Sequence, residues 1–249
     1  MHPKISRIGR ICDSEMVFAG ARVIMACRDI KKADEVAKDI LSQTENVEGA
    51  GTVEVVPLNL GSLASVRKCA QEILRTEDKI HLLVNNAGVM MCPQSKTEDG
   101  FETHIGVNHL GHFLFTCMLL SRIIRSAPAR IVTVSSVAHQ WGTMYLEDIN
   151  LKQSYTPWKA YRQSKLANLL FTKELARRLQ DTGVTTYAVH PGLVNTDLQR
   201  HMDDAYFVGL SMMTRFVATL LFKSPEEGAQ TSIYCSVDEN QQNKTGLYY

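Results

Sequence analysis

Residues 130–136 read Arg-Ile-Val-Thr-Val-Ser-Ser, and this run decides the fold. It is apolar without clean alternation, as expected of a strand buried on both faces. Outward from it the same pattern recurs. Strands are predicted at 21–27, 52–60, 80–85, 130–135 and 185–190, with a last short one near 246–249. Helix-like spacing fills the intervals 29–44, 62–77, 99–126, 157–182 and 225–237. Asp29 and Ser62 stand where N-caps belong, and Pro157 and Pro225 where helices begin. Strands alternating with helices imply parallel strands joined by crossovers, hence an α/β, doubly wound parallel sheet in one domain, 1–249. Ligands of such sheets bind beyond the carboxyl ends of the strands.

Composition bounds the function. The chain has 249 residues and a formal net charge of +1, so nucleic acid is excluded as an expected partner. The six cysteines are scattered, with no C-x-x-C pair, and the eight histidines form no H-E-x-x-H set, so no metal site is expected. The opening MHPKISRIGRICDSE has no apolar core long enough for a signal peptide or a span. The expected location is intracellular, cytoplasmic by default. Residues 206–222 are mostly apolar but interrupted by Arg215. Within 203–224 two readings stay open: a segment covering an oily substrate, or a peripheral membrane contact.

The chemistry-bearing residues gather at strand ends. Tyr161 and Lys165 lie four apart in a strong helical segment, which puts both on one face. An ammonium near a phenol lowers its pKa, and such a pair can act as general acid or base on a carbonyl or alcohol. A surface Tyr packed on a Lys stem is the plainer alternative. Ser135 and Ser136 end the strand at 130–135, where a hydroxyl can meet a substrate oxygen or simply form a turn. No G-x-S-x-G elbow surrounds them, which excludes the usual serine-hydrolase nucleophile. Asn85, Asn86, Ala87 and Gly88 follow the strand at 80–85 and let a ligand approach the backbone. Asn108 interrupts an apolar helix, where an amide needs a partner or a task.

Taken together, Asn85-Asn-Ala-Gly88, Asn108 in VNHLGHF, Ser136 in VTVSS, Tyr161-x-x-Ser-Lys165 and Pro191-Gly192 with Thr196 resemble the short-chain dehydrogenase/reductase family. ACRD at 26–29, SKLANLLFTKELARRL, VTTYAVHPG and PEEGAQTS are similar to its retinol-dehydrogenase group. The resemblance implies a Rossmann-like fold and an NADP(H)-dependent oxidoreductase interconverting a lipophilic alcohol and its aldehyde or ketone. It implies Tyr161 as proton donor or acceptor, Lys165 as the group that tunes it and holds the nicotinamide ribose, and Ser136 as the post for the substrate oxygen. Asn108 would complete a water-linked proton relay. Asn86, Ala87 and Gly88 would line the adenosine side, Asn59-Leu60 would face the adenine, and Val194 and Thr196 would contact the carboxamide. At the end of the strand at 21–27, Cys27-Arg28 replaces the acidic residue of NAD-selective sites, so NADP(H) is favoured over NAD(H). The family commonly pairs through the helix at 157–182, which implies a homo- or heterodimer.

The start departs from the family pattern T-G-x-x-x-G-x-G. Without gaps, Gly9 matches the third glycine, Arg7 replaces the second and Pro3 the first, and the preceding strand is missing. Residues 1–19 thus read as a degenerate remnant of the cofactor-binding turn, with Cys12, Asp13 and Ser14 making a weak helix. An alternative function follows: a catalytically impaired remnant that acts by pairing with an intact relative.

Overall fold

The computed structural model describes residues 6–194 and 223–249. The expected carboxamide contact Thr196 and the segment 206–222 lie outside them. The chain opens with α1 (Arg7–Phe18), followed by β1 (Arg22–Cys27), α2 (Ile30–Thr44), β2 (Thr52–Pro57), α3 (Leu63–Thr76) and β3 (Leu82–Asn85). Then come α4 (Thr103–Arg125), β4 (Ala129–Val134), α5 (Pro157–Arg178), β5 (Val184–Val189), α6 (Pro225–Val237) and β6 (Leu247–Tyr248). Every strand pair is parallel, and the chain forms a Rossmann-like α/β domain.

The sheet is in two parts, ordered β1-β2 and β3-β4-β5-β6. At the two ends of the β1–β2 pair, Ala21 O and Cys27 O accept from Thr52 N (3.1 Å) and Leu58 N (2.9 Å). Parallel pairing alternates, so Arg22, Ile24 and Ala26 direct their backbone groups to the other edge. His81 O accepts from Arg130 N at 2.8 Å, so Leu82 and Val84 likewise face away from β4. No strand satisfies these two edges among the described residues. One core nevertheless spans both parts. Val56, Leu58 and Leu60 pack with Leu83, Phe115, Leu119 and Ile131, and Ile24 and Ala26 lie against them. On the other face α1 packs on β1 and α6, and α6 packs on β3, β4 and β5.

Four details differ from expectation. The helix at 7–18 is formed in full despite its poor helix formers. Ser6 Oγ accepts from Gly9 N at 3.3 Å, and Ile8, Cys12 and Val17 are buried, so packing overrides propensity. Asp29 caps α2, but Ser62 makes no side-chain cap on α3; Asp99 Oδ2 accepts from Leu63 N instead, at 2.8 Å. β2 stops at Pro57, short of Leu60, because Asn59 begins a turn in which its Oδ1 accepts from Gly61 N at 3.0 Å. The predicted helix 99–126 starts only at Thr103, capped by Glu102, and widens to a π turn over Gly106–Leu110. α4 is long and apolar enough to cross a membrane, and here it packs on α3 and β3.

Candidate active site

Three elements carry the site at the carboxyl end of the larger sheet. β4 runs into Ser135 and Ser136, and a 3-10 turn over Val137–Trp141 follows. α5 starts at Pro157, capped by Thr156 (Lys159 N to Thr156 Oγ1, 3.1 Å), and lays Tyr161 and Lys165 against that turn. Tyr161 and Lys165 are both buried. The Ser136 side chain lies near enough to the Tyr161 phenol to lower its pKa, and Lys165 Nζ stands 5.7 Å from the Tyr161 ring centre. Lys165 Nζ donates to Val134 O at 3.0 Å. Ser135 has a structural part, its hydroxyl donating to Lys165 O at 2.8 Å.

The expected lowering of the Tyr161 pKa by Lys165 is not what this arrangement produces. Burial pushes the phenol up to about 12, and only the nearby Ser136 side chain pulls it down. Burial also pushes the Lys165 ammonium down to about 8. In the free protein the phenol therefore holds its proton.

Asn108 sits in the π turn, a distortion often found at functional sites. Its Oδ1 accepts from Val89 N (2.7 Å), and its Nδ2 donates to Val89 O (2.9 Å) and Ser164 Oγ (2.9 Å). The side chain thus ties the loop after β3 to helix α5. Gly88 lies between: a Cβ there would stand 3.2 Å from Asn108 Oδ1 and 3.8 Å from Lys165 Nζ. Ala87 O accepts from His112 Nε2 at 2.8 Å. Asn85 is buried, with its Nδ2 on Thr116 Oγ1 at 2.9 Å, so it ties β3 to α4.

Sequence reasoning missed a buried pair beside this centre. His104 Nδ1 donates to Glu102 Oε1 (2.7 Å), and its Nε2 accepts from Cys92 N at 3.2 Å. The His104 ring meets Tyr161 edge-on, 6.4 Å between centres. The only signal available was the polar Phe-Glu-Thr-His opening of an otherwise apolar helix.

The residues expected on the adenosine side are dispersed. Arg28 is exposed and makes no hydrogen bond or ion pair among the described residues. The Asn59 side chain is spent on other residues of the protein, its Oδ1 accepting from Gly61 N and its Nδ2 donating to Glu98 Oε1 at 3.2 Å, and the Leu60 side chain is buried in the core. Val194 is buried with Ile8, Cys12 and Ala229, between α1 and α6.

The chain matches the short chain dehydrogenase family model over residues 5–206, and it belongs to that family. It is similar to the family's retinol dehydrogenases. Human retinol dehydrogenase 12 is 48% identical over 242 residues, 97% of this chain and 73% of that protein. Human retinol dehydrogenase 14 is 45% identical over 253 residues, 98% of this chain and 75% of that protein. Among solved structures, an uncharacterized protein from Mycobacterium paratuberculosis is 37% identical with a TM-score of 0.73, covering 98% of this chain and 76% of that one. L-sorbose reductase from Gluconobacter frateurii, complexed with NADPH and L-sorbose, shares the fold at 17% identity, with a TM-score of 0.75 and coverage of 98% and 90%.

The residues present fit a nicotinamide dinucleotide at one end. Gly88 leaves bare backbone beside Lys165 and Asn108, and the Tyr161 phenol lies beside Ser136. At the phosphate end the fit is partial. The first amides of α1 have no intrahelical partner among the described residues, but Gly9 N is already bonded to Ser6. A Cβ on Gly9 would come within 2.9 Å of Asn86 Nδ2, so Asn86 fills the space on that side.

Proposed function

We propose that this protein is an NADP(H)-dependent oxidoreductase that interconverts a lipophilic alcohol and its aldehyde or ketone. One observation carries the reading: a buried phenol beside Ser136, with a buried lysine one helical turn on. When bound, the dinucleotide supplies or accepts the hydride. Ser136 holds the substrate oxygen, and Tyr161, protonated at neutral pH, delivers its proton to that oxygen in the reducing direction. Lys165, once charged, stabilises the phenolate left behind. Asn108 keeps the Val89 loop and Ser164 in place. The free guanidinium of Arg28, at the end of β1, supports NADP(H) over NAD(H), because it can pair with a 2′-phosphate. Six free thiols support an intracellular setting.

Fluorescence titration of the folded protein with NADPH tests this directly. Saturable binding at micromolar cofactor is expected. Its absence at high micromolar cofactor removes the enzymatic reading.

The open edges of β1 and β3 favour a second reading, a catalytically impaired member that acts by pairing with an intact relative, as a heterodimer through α5. Co-expression with such a relative yields a stable complex if this holds. A stable monomer with measurable turnover eliminates it.

A further inference from the structure

Among the described residues, Tyr248 Oη and His190 Nδ1 are buried without a hydrogen-bond partner. Tyr248 is in β6 opposite Ala188, and His190 follows β5, its N–H donating to Tyr249 O at 2.7 Å. Both therefore stand at the carboxyl edge of the sheet, where Ser136 ends β4. His139 fixes their surroundings. Its Nδ1 donates to Ser136 O at 2.6 Å, and its ring meets the Tyr248 ring edge-on at 4.7 Å. Tyr248 is close enough to Tyr161 to help raise that phenol, and His190 feels Lys223, His139 and Lys165. Burial, with Lys223, His139 and Lys165 nearby, holds His190 below its ordinary value, which favours the neutral imidazole.

Buried polar atoms without partners are rare in native proteins and call for an explanation. Two of them at one ligand-binding edge, one a phenol and one a ring nitrogen, offer a donor and an acceptor. We propose that Tyr248, together with His190, forms a second hydrogen-bonding post beside Ser136 and Tyr161 that takes a neutral oxygen or amide of the bound ligand. Two groups share that chemistry, the carbonyl oxygen of the substrate and the carboxamide of the nicotinamide ring. The inference rests on the dehydrogenase reading above and adds to it a ligand contact outside the Asn108–Ser136–Tyr161–Lys165 set.

The test exploits the missing partner. Because the Tyr248 hydroxyl bonds nothing among the described residues, Tyr248→Phe is expected to remove no internal hydrogen bond and to melt no lower than wild type. Tyr187→Phe is the contrast: that hydroxyl donates to Gln241 O at 2.6 Å, so this variant melts lower with ligand binding unchanged. In Tyr248→Phe, the Kd for NADPH or the KM for decanal rises about five- to tenfold, the scale of one lost hydrogen bond. A rise in the NADPH Kd alone assigns the post to the carboxamide, and a rise in the decanal KM alone assigns it to the substrate. If both stay within about twofold of wild type, the post is disproved while the dehydrogenase reading stands. If the wild-type protein itself binds no NADPH, that reading falls first and the post with it.

Discussion

The two parts of the sheet are built to different standards. In β4 and β5 nearly every residue is buried, and each strand is paired on both edges. In β1 only Met25 is fully buried, and one edge carries no partner strand among the described residues. The same contrast holds for buried ionisable groups. In the larger part, His112 is kept neutral and bonded to Ala87 O. In the smaller part, the half-buried Asp13 of α1 lies near Cys27, and burial pushes its carboxyl up to about 7. The half that holds the proposed proton chemistry is consolidated, and the half that should hold the phosphates and adenosine is not. The reaction centre and the expected cofactor side are therefore packed by different strands.

Substitutions can break or sharpen this contrast. The largest effect is expected from Tyr161→Phe, which leaves packing intact but lowers turnover by about 10²- to 10⁴-fold, the usual share of a general acid. Steady-state kinetics check it, and a smaller drop moves the acid elsewhere. Next is Ile131→Ala in the buried β4, which costs about 2–5 kcal/mol in urea unfolding. Ile24→Ala in half-buried β1 costs less than half as much. Equal costs would mean that the two parts are equally consolidated.

The pH response should separate the parts by sign. His112 is lowered from 6.5 to about 4 by burial, so the unfolded chain binds more protons between those values. Its contribution is full above pH 6.5 and is lost as pH falls to about 4, on the order of 3 kcal/mol. His112→Gln flattens that part of a melting-temperature profile. Asp13 is raised, so its contribution is present below its unfolded value and lost as pH rises through about 7. Asp13→Asn therefore raises the melting temperature more at pH 8 than at pH 4, and the opposite order refutes the assignment. The smallest effect is that of Arg28→Ser, which weakens NADPH about tenfold or less and leaves NADH unchanged, since one exposed ion pair is worth about 1 kcal/mol.

Much of the site was legible because its geometry is local. Tyr161 and Lys165 share a helix face at four-residue spacing, and Ser136 and Gly88 follow recognisable buried strands. What was illegible depends on distant partners. Nothing in the chain around Asn108 says that its amide is consumed by Val89 and Ser164. Nothing around Glu102 and His104 says that they close on Cys92 and Tyr161. The helix at 7–18 reads as weak because propensity counts its own residues and omits the apolar faces of α6 and β1 that cover it.

Strand order along the chain, the parallel character of the sheet and the family's landmark residues were all determined by sequence alone, since hydrophobic period and short motifs are local quantities. The division of the sheet, the protonated state of Tyr161 and the orphaned hydroxyl of Tyr248 were decided only by the tertiary structure. Each depends on which atoms approach across long chain separations and exclude water, and no local pattern carries that information.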